Sequence, residues 1–189
     1  EVLAGKTAIL FDAIELVNYE LEDPKAKHVR AGAAKIIEKV SEKDPEKVAP
    51  YLDKLIPALG VSEPQTRWML IQVFGYCAKL NTRAALKGVG YAQNYIEENA
   101  GVCLSGAAAR YLGYVGALSR EQAETVFPVL KNALESASEN EVDWILEAFY
   151  KIVENLNENK KEQVFKYASF CLDSRKKSTV KRAEKILKN

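Results

Sequence analysis

Apolar residues recur along this chain at helical spacing. Ile14, Val17 and Leu21 lie three or four apart, as do Leu52, Leu55 and Leu59, then Val89, Ala92 and Ile96. The series continues with Phe127, Leu130 and Leu134 and with Phe165, Ala168 and Leu172. Such spacing gathers each set on one stripe of an α-helix. There is no sustained period-two alternation and no Asn-Gly or Asp-Gly turn, so no strands are predicted. Helix punctuation agrees with this. Asp23-Pro24 and Asp44-Pro45 place a capping side chain before a proline, and Ser62-Glu63-Pro64 opens another helix. Ser119-Arg120-Glu121-Gln122 reads as a capping box, and Gly60 as a stop. The pattern predicts ten helices, at about 2–21, 24–41, 45–59, 63–80, 82–99, 102–118, 120–137, 140–156, 159–172 and 175–188. Connections this short make successive helices antiparallel.

The pattern repeats. Aligned at steps of 37 or 38 residues, the second helix of each pair gives the columns Ala33, Leu70, Ala108, Ile145, then Ile37, Phe74, Leu112, Phe149, then Val40, Cys77, Val115, Ile152. Gln72-Val73-Phe74-Gly75-Tyr76-Cys77 and Arg110-Tyr111-Leu112-Gly113-Tyr114-Val115 match almost position for position. A hairpin of this size buries its apolar face only by stacking on a neighbour. The expectation is a single all-α domain over 1–189, a right-handed α-solenoid of five hairpins at about 1–41, 45–80, 82–118, 120–156 and 159–189.

Asp23-Pro24 with Val29-Arg30 and Ala33-Ala34, followed by Glu63-Pro64 with Thr66-Arg67-Trp68, resembles the Asp…Val-Arg…Ala pattern of HEAT repeats. The first two copies carry the arginine. The third has Leu104-Ser105 and the fourth Val142-Asp143 in that neighbourhood, so the Asp–Arg ladder that the resemblance implies is expected to be incomplete. A tetratricopeptide array would need a period near 34 and its Trp…Leu-Gly…Tyr signature, and neither occurs.

The apolar columns point inward, which leaves a polar stripe on the opposite side of the second helices. It reads Ala31, Trp68, Gly106, Asp143, then Lys35, Gln72, Arg110, Glu147, then Lys39, Tyr76, Tyr114, Lys151. The resemblance puts this stripe on the concave face of the solenoid. Trp68, Gln72, Tyr76, Arg110, Tyr114, Asp143 and Glu147 then form a candidate groove for a protein or peptide, since aromatic residues and arginine are enriched at interface centres. Trp144 falls one position off the stripe and reads as the edge of the core.

Charge adds a second candidate surface. The net charge of +1 conceals an uneven split: residues 174–189 carry 7 basic side chains and 1 acidic, and the other 173 carry 20 basic and 25 acidic. Arg175, Lys176, Lys177, Lys181, Arg182 and Lys185 could therefore contact an anionic partner, or simply keep a terminal repeat soluble. On this reading an anionic partner belongs at the last sixteen residues and not in the groove.

Composition removes most chemistry. The lone histidine, His28, excludes sites built on two imidazoles and leaves no Ser/His/Asp set. Gly88-Val89-Gly90 has neither a preceding strand nor a third glycine, so it is no phosphate loop. Cofactors and metals are not expected. Cys77, Cys103 and Cys171 are odd in number and widely spaced, and read as buried thiols in a reducing, cytoplasmic setting. No apolar run is long enough to span a bilayer, and no targeting signature opens the chain. A start at Glu1 without methionine reads as a trimmed chain or a piece of a larger scaffold. One enzyme class shares the architecture, the HEAT-like DNA glycosylases. That resemblance asks for an aromatic residue with an aspartate four residues on. Trp68 is followed there by Gln72, so the carboxylate that would steady a cationic sugar is missing, and nucleic acid is not the expected partner.

Overall fold

The computed structural model describes the backbone of residues 2–188 and the side chains of residues 8–188; the expected repeat ends at Glu1 and Asn189 lie outside this range. Eleven α-helices run through the described residues: α1 Val2–Leu16, α2 Lys27–Lys43, α3 Leu52–Leu55, α4 Pro64–Tyr76, α5 Thr82–Leu86, α6 Val89–Glu98, α7 Val102–Gly116, α8 Arg120–Glu135, α9 Val142–Ile152, α10 Glu158–Cys171 and α11 Lys177–Leu187. Short 3₁₀ turns join several of them, and among the described residues there is no β-strand.

Ten helical segments stand where the apolar periodicity places them, but two are not continuous. The third is 3₁₀ at Pro45–Lys47 and Ala49–Tyr51, α only over Leu52–Leu55, and 3₁₀ again at Pro57–Gly60. Pro50 and Pro57 have no N–H to give to a helical ladder. The fifth breaks at Lys87-Gly88 into α5 and α6. Pro128, by contrast, sits inside an unbroken α8. The first helix stops at Leu16, short of the expected 21, and Glu20 takes a left-handed φ of 42° in the turn that follows. Asp23 caps as expected, accepting from the Lys25 N–H at 2.8 Å, and Ser119 accepts from the Gln122 N–H at 3.2 Å. Asp44 does not cap; its carboxylate pairs with Lys47 at 2.6 Å.

The chain forms two compact units, Glu1–Tyr95 and Ile96–Asn189. In the first, α2 packs on α1 and on α4. Ala33, Ile37, Leu70, Phe74 and Cys77 are buried, together with Ile14, Val17, Leu52, Leu55 and Leu59 from the first helices of the pairs. In the second, α7 packs on α8 and α9, and α11 on α9 and α10. Ala108, Leu112, Val115, Ile145, Phe149 and Ile152 are buried there. Val40 alone of the twelve inward positions is only half-buried. Glycines let α7 come close to α9. A Cβ at Gly113 would lie 2.8 Å from the Ala148 Cα, and one at Gly106 would lie 2.9 Å from the Trp144 ring.

Polar bonds between hairpins restate the period. In the first unit the Asn18 side chain donates to the Lys54 carbonyl (2.8 Å), Lys87 pairs with Asp53 (2.8 Å), and Asn81 donates to the Ala49 carbonyl (2.9 Å). The Tyr95 hydroxyl donates to the Leu59 carbonyl. In the second unit Asn155 donates to the Gly116 carbonyl at 3.1 Å, and Glu124 accepts from the Asn157 backbone N–H at 2.8 Å and from its amide at 2.9 Å. Lys160 also donates to Glu124. These partners stand 32 to 39 residues apart, one hairpin along the chain.

Arg30 ties the second helix of its hairpin to the next hairpin and to the turn before it. Its guanidinium is 1% exposed and grips both Glu63 oxygens, Nε to Oε1 at 2.7 Å and Nη2 to Oε2 at 3.0 Å. Its Nη1 donates to the carbonyls of Tyr19, Glu20 and Asp23 at 3.2, 2.6 and 3.1 Å. Arg67, one period on, lies with its guanidinium 5.1 Å from the Tyr95 ring centre. Asp143 continues the ladder with reversed polarity, since here the second helix supplies the acid.

Candidate docking surface

Trp68, Gln72 and Tyr76 project from α4 in the first unit. Trp68 and Tyr76 are half-buried, while Gln72 is 8% exposed and so belongs to the packed layer. Lys35 of α2 places its Nζ 5.6 Å from the centre of the Trp68 ring and pairs with Glu38 at 2.9 Å. Lys39 pairs with Glu42 at 2.7 Å, and its ammonium is held above the usual lysine range by that bond first, with Glu38 adding to it. The first unit thus presents an aromatic pair bordered by two lysines that are already engaged.

Arg110, Tyr114, Asp143 and Glu147 lie on α7 and α9 of the second unit, and the structure joins them to residues the stripe did not include. The Arg110 guanidinium sits 5.2 Å from the Trp144 ring centre, and its Nε is 3.4 Å from Glu147. Glu147 is also 3.9 Å from Lys151 and 3.6 Å from Arg182. Lys151 Nζ lies 4.6 Å from the centre of the Tyr114 ring. Arg110, Tyr114, Trp144, Glu147 and Lys151 are all half-buried. Trp144 is therefore a partner of the stripe as well as the edge of the core.

Asp143 is 7% exposed and serves the fold. It accepts from the hydroxyls of Ser178 (2.7 Å) and Thr179 at the start of α11, with Lys176 at 3.0 Å and Arg182 at 3.7 Å. Burial alone would push its carboxyl up. The Ser178 and Thr179 hydroxyls and Lys176 outweigh burial and hold it below the usual carboxylate range. Two of the six C-terminal cations, Lys176 and Arg182, are thus engaged by the acids of the stripe, so the two candidate surfaces adjoin one another along α9 and α11. Arg175, Lys177, Lys181 and Lys185 are exposed. The signal for this contact was in the columns: one further step of 38 residues gives the buried Ala183 and places Lys181 and Lys185 on the stripe.

The cysteines differ from one another. Cys77 is buried, and burial pushes its thiol up to about 12. Cys171 is half-buried, and Cys103, expected inside, is exposed on the outer side of the first turn of α7, beside the buried Leu104 and Ser105. Among the described residues no group of His, Cys, Asp and Glu could hold a metal ion, and no helix is long and apolar enough to cross a membrane.

No family model and no curated protein matches the chain. Solved structures do. A designed armadillo repeat protein is similar over 93% of this chain and 79% of its own, with a TM-score of 0.67 and 14% identity. An engineered protein from a structural genomics consortium aligns over 93% of this chain and 77% of its own, with a TM-score of 0.71 and 13% identity. Another from the same source has a TM-score of 0.65 at 13% identity, over 93% of this chain and 46% of its own. These likenesses show the fold, an all-α helical repeat of the armadillo-like solenoid class.

Proposed function

We propose that the chain is a non-enzymatic binding module of HEAT-like hairpins, five in number, whose second-helix stripes take a segment of a partner protein. One observation carries the reading. The side chains facing the core on α4, α7 and α9 are buried, whereas Trp68, Tyr76, Arg110, Tyr114 and Glu147 stay half-exposed on the other side of the same helices. Their neighbours hold several of them in place, as Lys35 does Trp68 and Trp144 does Arg110. Large side chains ordered before a partner arrives lose less entropy on binding. The HEAT assignment is supported by Arg30, which stands at the Val-Arg position of the pattern and ties its hairpin to the next through Glu63.

The test is affinity for partners cross-linked and captured from cell extract, then produced pure. Arg110→Glu and Trp68→Ala should each weaken at least one such partner by about tenfold, the range of an interface anchor, with Lys166→Glu on α10 as the unaffected control. Unchanged affinity in both variants would remove the stripes from the reading. A salt-steep titration with duplex DNA, tighter than any protein partner, would favour the DNA-repair class instead.

A further inference from the structure

The charge imbalance of the chain is concentrated in its second unit. Residues 96–173 carry 7 basic side chains against 13 acidic, while residues 174–189 carry 7 against 1. Packing α11 on α9 sets these opposite signs side by side. Between the two helices runs a groove of about 370 Å³, lined from α9 by Glu147, Tyr150 and Lys151 and from α11 by Lys181, Arg182 and Lys185. Four cations face one carboxylate there, and that carboxylate is already shared among Arg110, Lys151 and Arg182. Lys181 and Lys185 remain exposed, and Lys185 lies 5.9 Å from the centre of the exposed Tyr150 ring.

We propose that this groove, which continues the α7/α9 stripe through Glu147 and Lys151 to the exposed lysines of α11, docks an extended, carboxylate-rich segment of a partner protein; it deepens the reading of the stripe, and its own anchors, Lys181 and Lys185, are the ones the test removes. Lys181 and Lys185 are one turn apart, a rise of about 6 Å. Alternate side chains of an extended peptide recur on one face every ~6.6–6.8 Å, so glutamates at every second position meet both ammonium groups in register. The Tyr150 ring offers a flat apolar wall beside them. A long polyanion fits less well. Beyond α11 it meets a body of net negative charge within a Debye length of about 8–10 Å, and Glu147 stands in the wall of the groove. A short acidic segment engages the cations and ends there.

The probe is a short, labelled peptide of alternating Glu and Thr, titrated against the full chain by fluorescence anisotropy at low and high salt. Binding should weaken with salt and fall by roughly tenfold or more in Lys181→Glu/Lys185→Glu, because like charges then face the peptide. Lys166→Glu should leave it unchanged. Both substituted side chains are exposed, so helicity and Tm of the double variant should match the parent. The proposal is overturned if the Gln counterpart binds equally well, if the double variant binds as the parent does, or if duplex DNA or phosphatidylserine vesicles bind more tightly than the peptide.

Discussion

Replacing Arg30 by methionine keeps most of the buried stem and removes the guanidinium. Three carbonyls lose the Arg30 donor; those of Glu20, which holds a left-handed backbone conformation, and Asp23 keep the Asp23 and Ala26 N–H groups. Glu63, whose side chain is 10% exposed, keeps only the Thr66 hydroxyl at 3.0 Å among its side-chain partners. Removing one member of a buried pair costs about 3–5 kcal/mol, since the other charge stays behind uncompensated. The first unit should lose about that much at pH 7. Each unit contains one of the two tryptophans, so urea unfolding of a Trp144→Phe background, followed through Trp68, reads the first unit directly. The pH dependence provides an internal check. Burial pushes Glu63 up, but the bond to Arg30 and those from its own backbone and Thr66 bring it below the ordinary value. In the parent its contribution is therefore present above the unfolded pKa near 4.3 and is lost as the pH falls through the lower folded value. In Arg30→Met burial should prevail, so the carboxyl takes up a proton early and the penalty shrinks from pH 7 towards pH 5. Arg30→Lys should lie between parent and Met, because an ammonium cannot fork both oxygens. A loss under about 1 kcal/mol at pH 7, or a loss that does not change with pH, would refute the account of Arg30 as a tie of this unit.

Other consequences are more local. Gly113→Val pushes a side chain against the Ala148 backbone and should cost the second unit about 1–3 kcal/mol in a thermal melt, whereas Gly32→Ala, with nothing within 4 Å, should gain about 0.5–1 kcal/mol. Asp143 is held below the usual carboxylate range, so its share of stability exists above the unfolded pKa near 3.9 and disappears as the pH falls through the folded value. The urea-stability gap between parent and Asp143→Ala should accordingly be full at pH 7 and close on acidification; a gap that widens would contradict the sign. In a thiol-labelling time course at pH 8, Cys103 should react first, Cys171 later, and Cys77 only on unfolding.

The helical segments and the inward columns were legible because burial imposes its own period on the side chains, and eleven of twelve column positions are buried as read. Breaks at Pro50, Pro57 and Lys87-Gly88 were less so. An amphipathic stripe continues across a 3₁₀ turn or a short interruption, and Pro128 shows that a proline alone does not decide the outcome. The stripe was legible as a column but its energetics were not. Nothing in the local sequence says that Gln72 and Asp143 are buried, or that Asp143 is committed to Ser178 and Thr179 some 35 residues away. Cys103 looked like an inside residue because its neighbours are apolar, although it lies on the exposed side of the first turn of α7. The basic end helix was visible as composition, but which of its cations are consumed depends on what α9 presents to it.

Polar ties that join residues 32 to 39 apart also bear on how the chain reaches its fold. The entropy of closing a loop grows with the logarithm of its length. Here the loop to be closed is one hairpin long wherever along each unit it is closed, and adding further hairpins of the same kind would lengthen the protein without lengthening that loop. Search difficulty, which rises with the sequence separation of contacts, is then set by the repeat and not by the size of the molecule. Any well-tied junction between hairpins can serve as a seed, and the Arg30–Glu63 junction, with its five guanidinium bonds, is one of these.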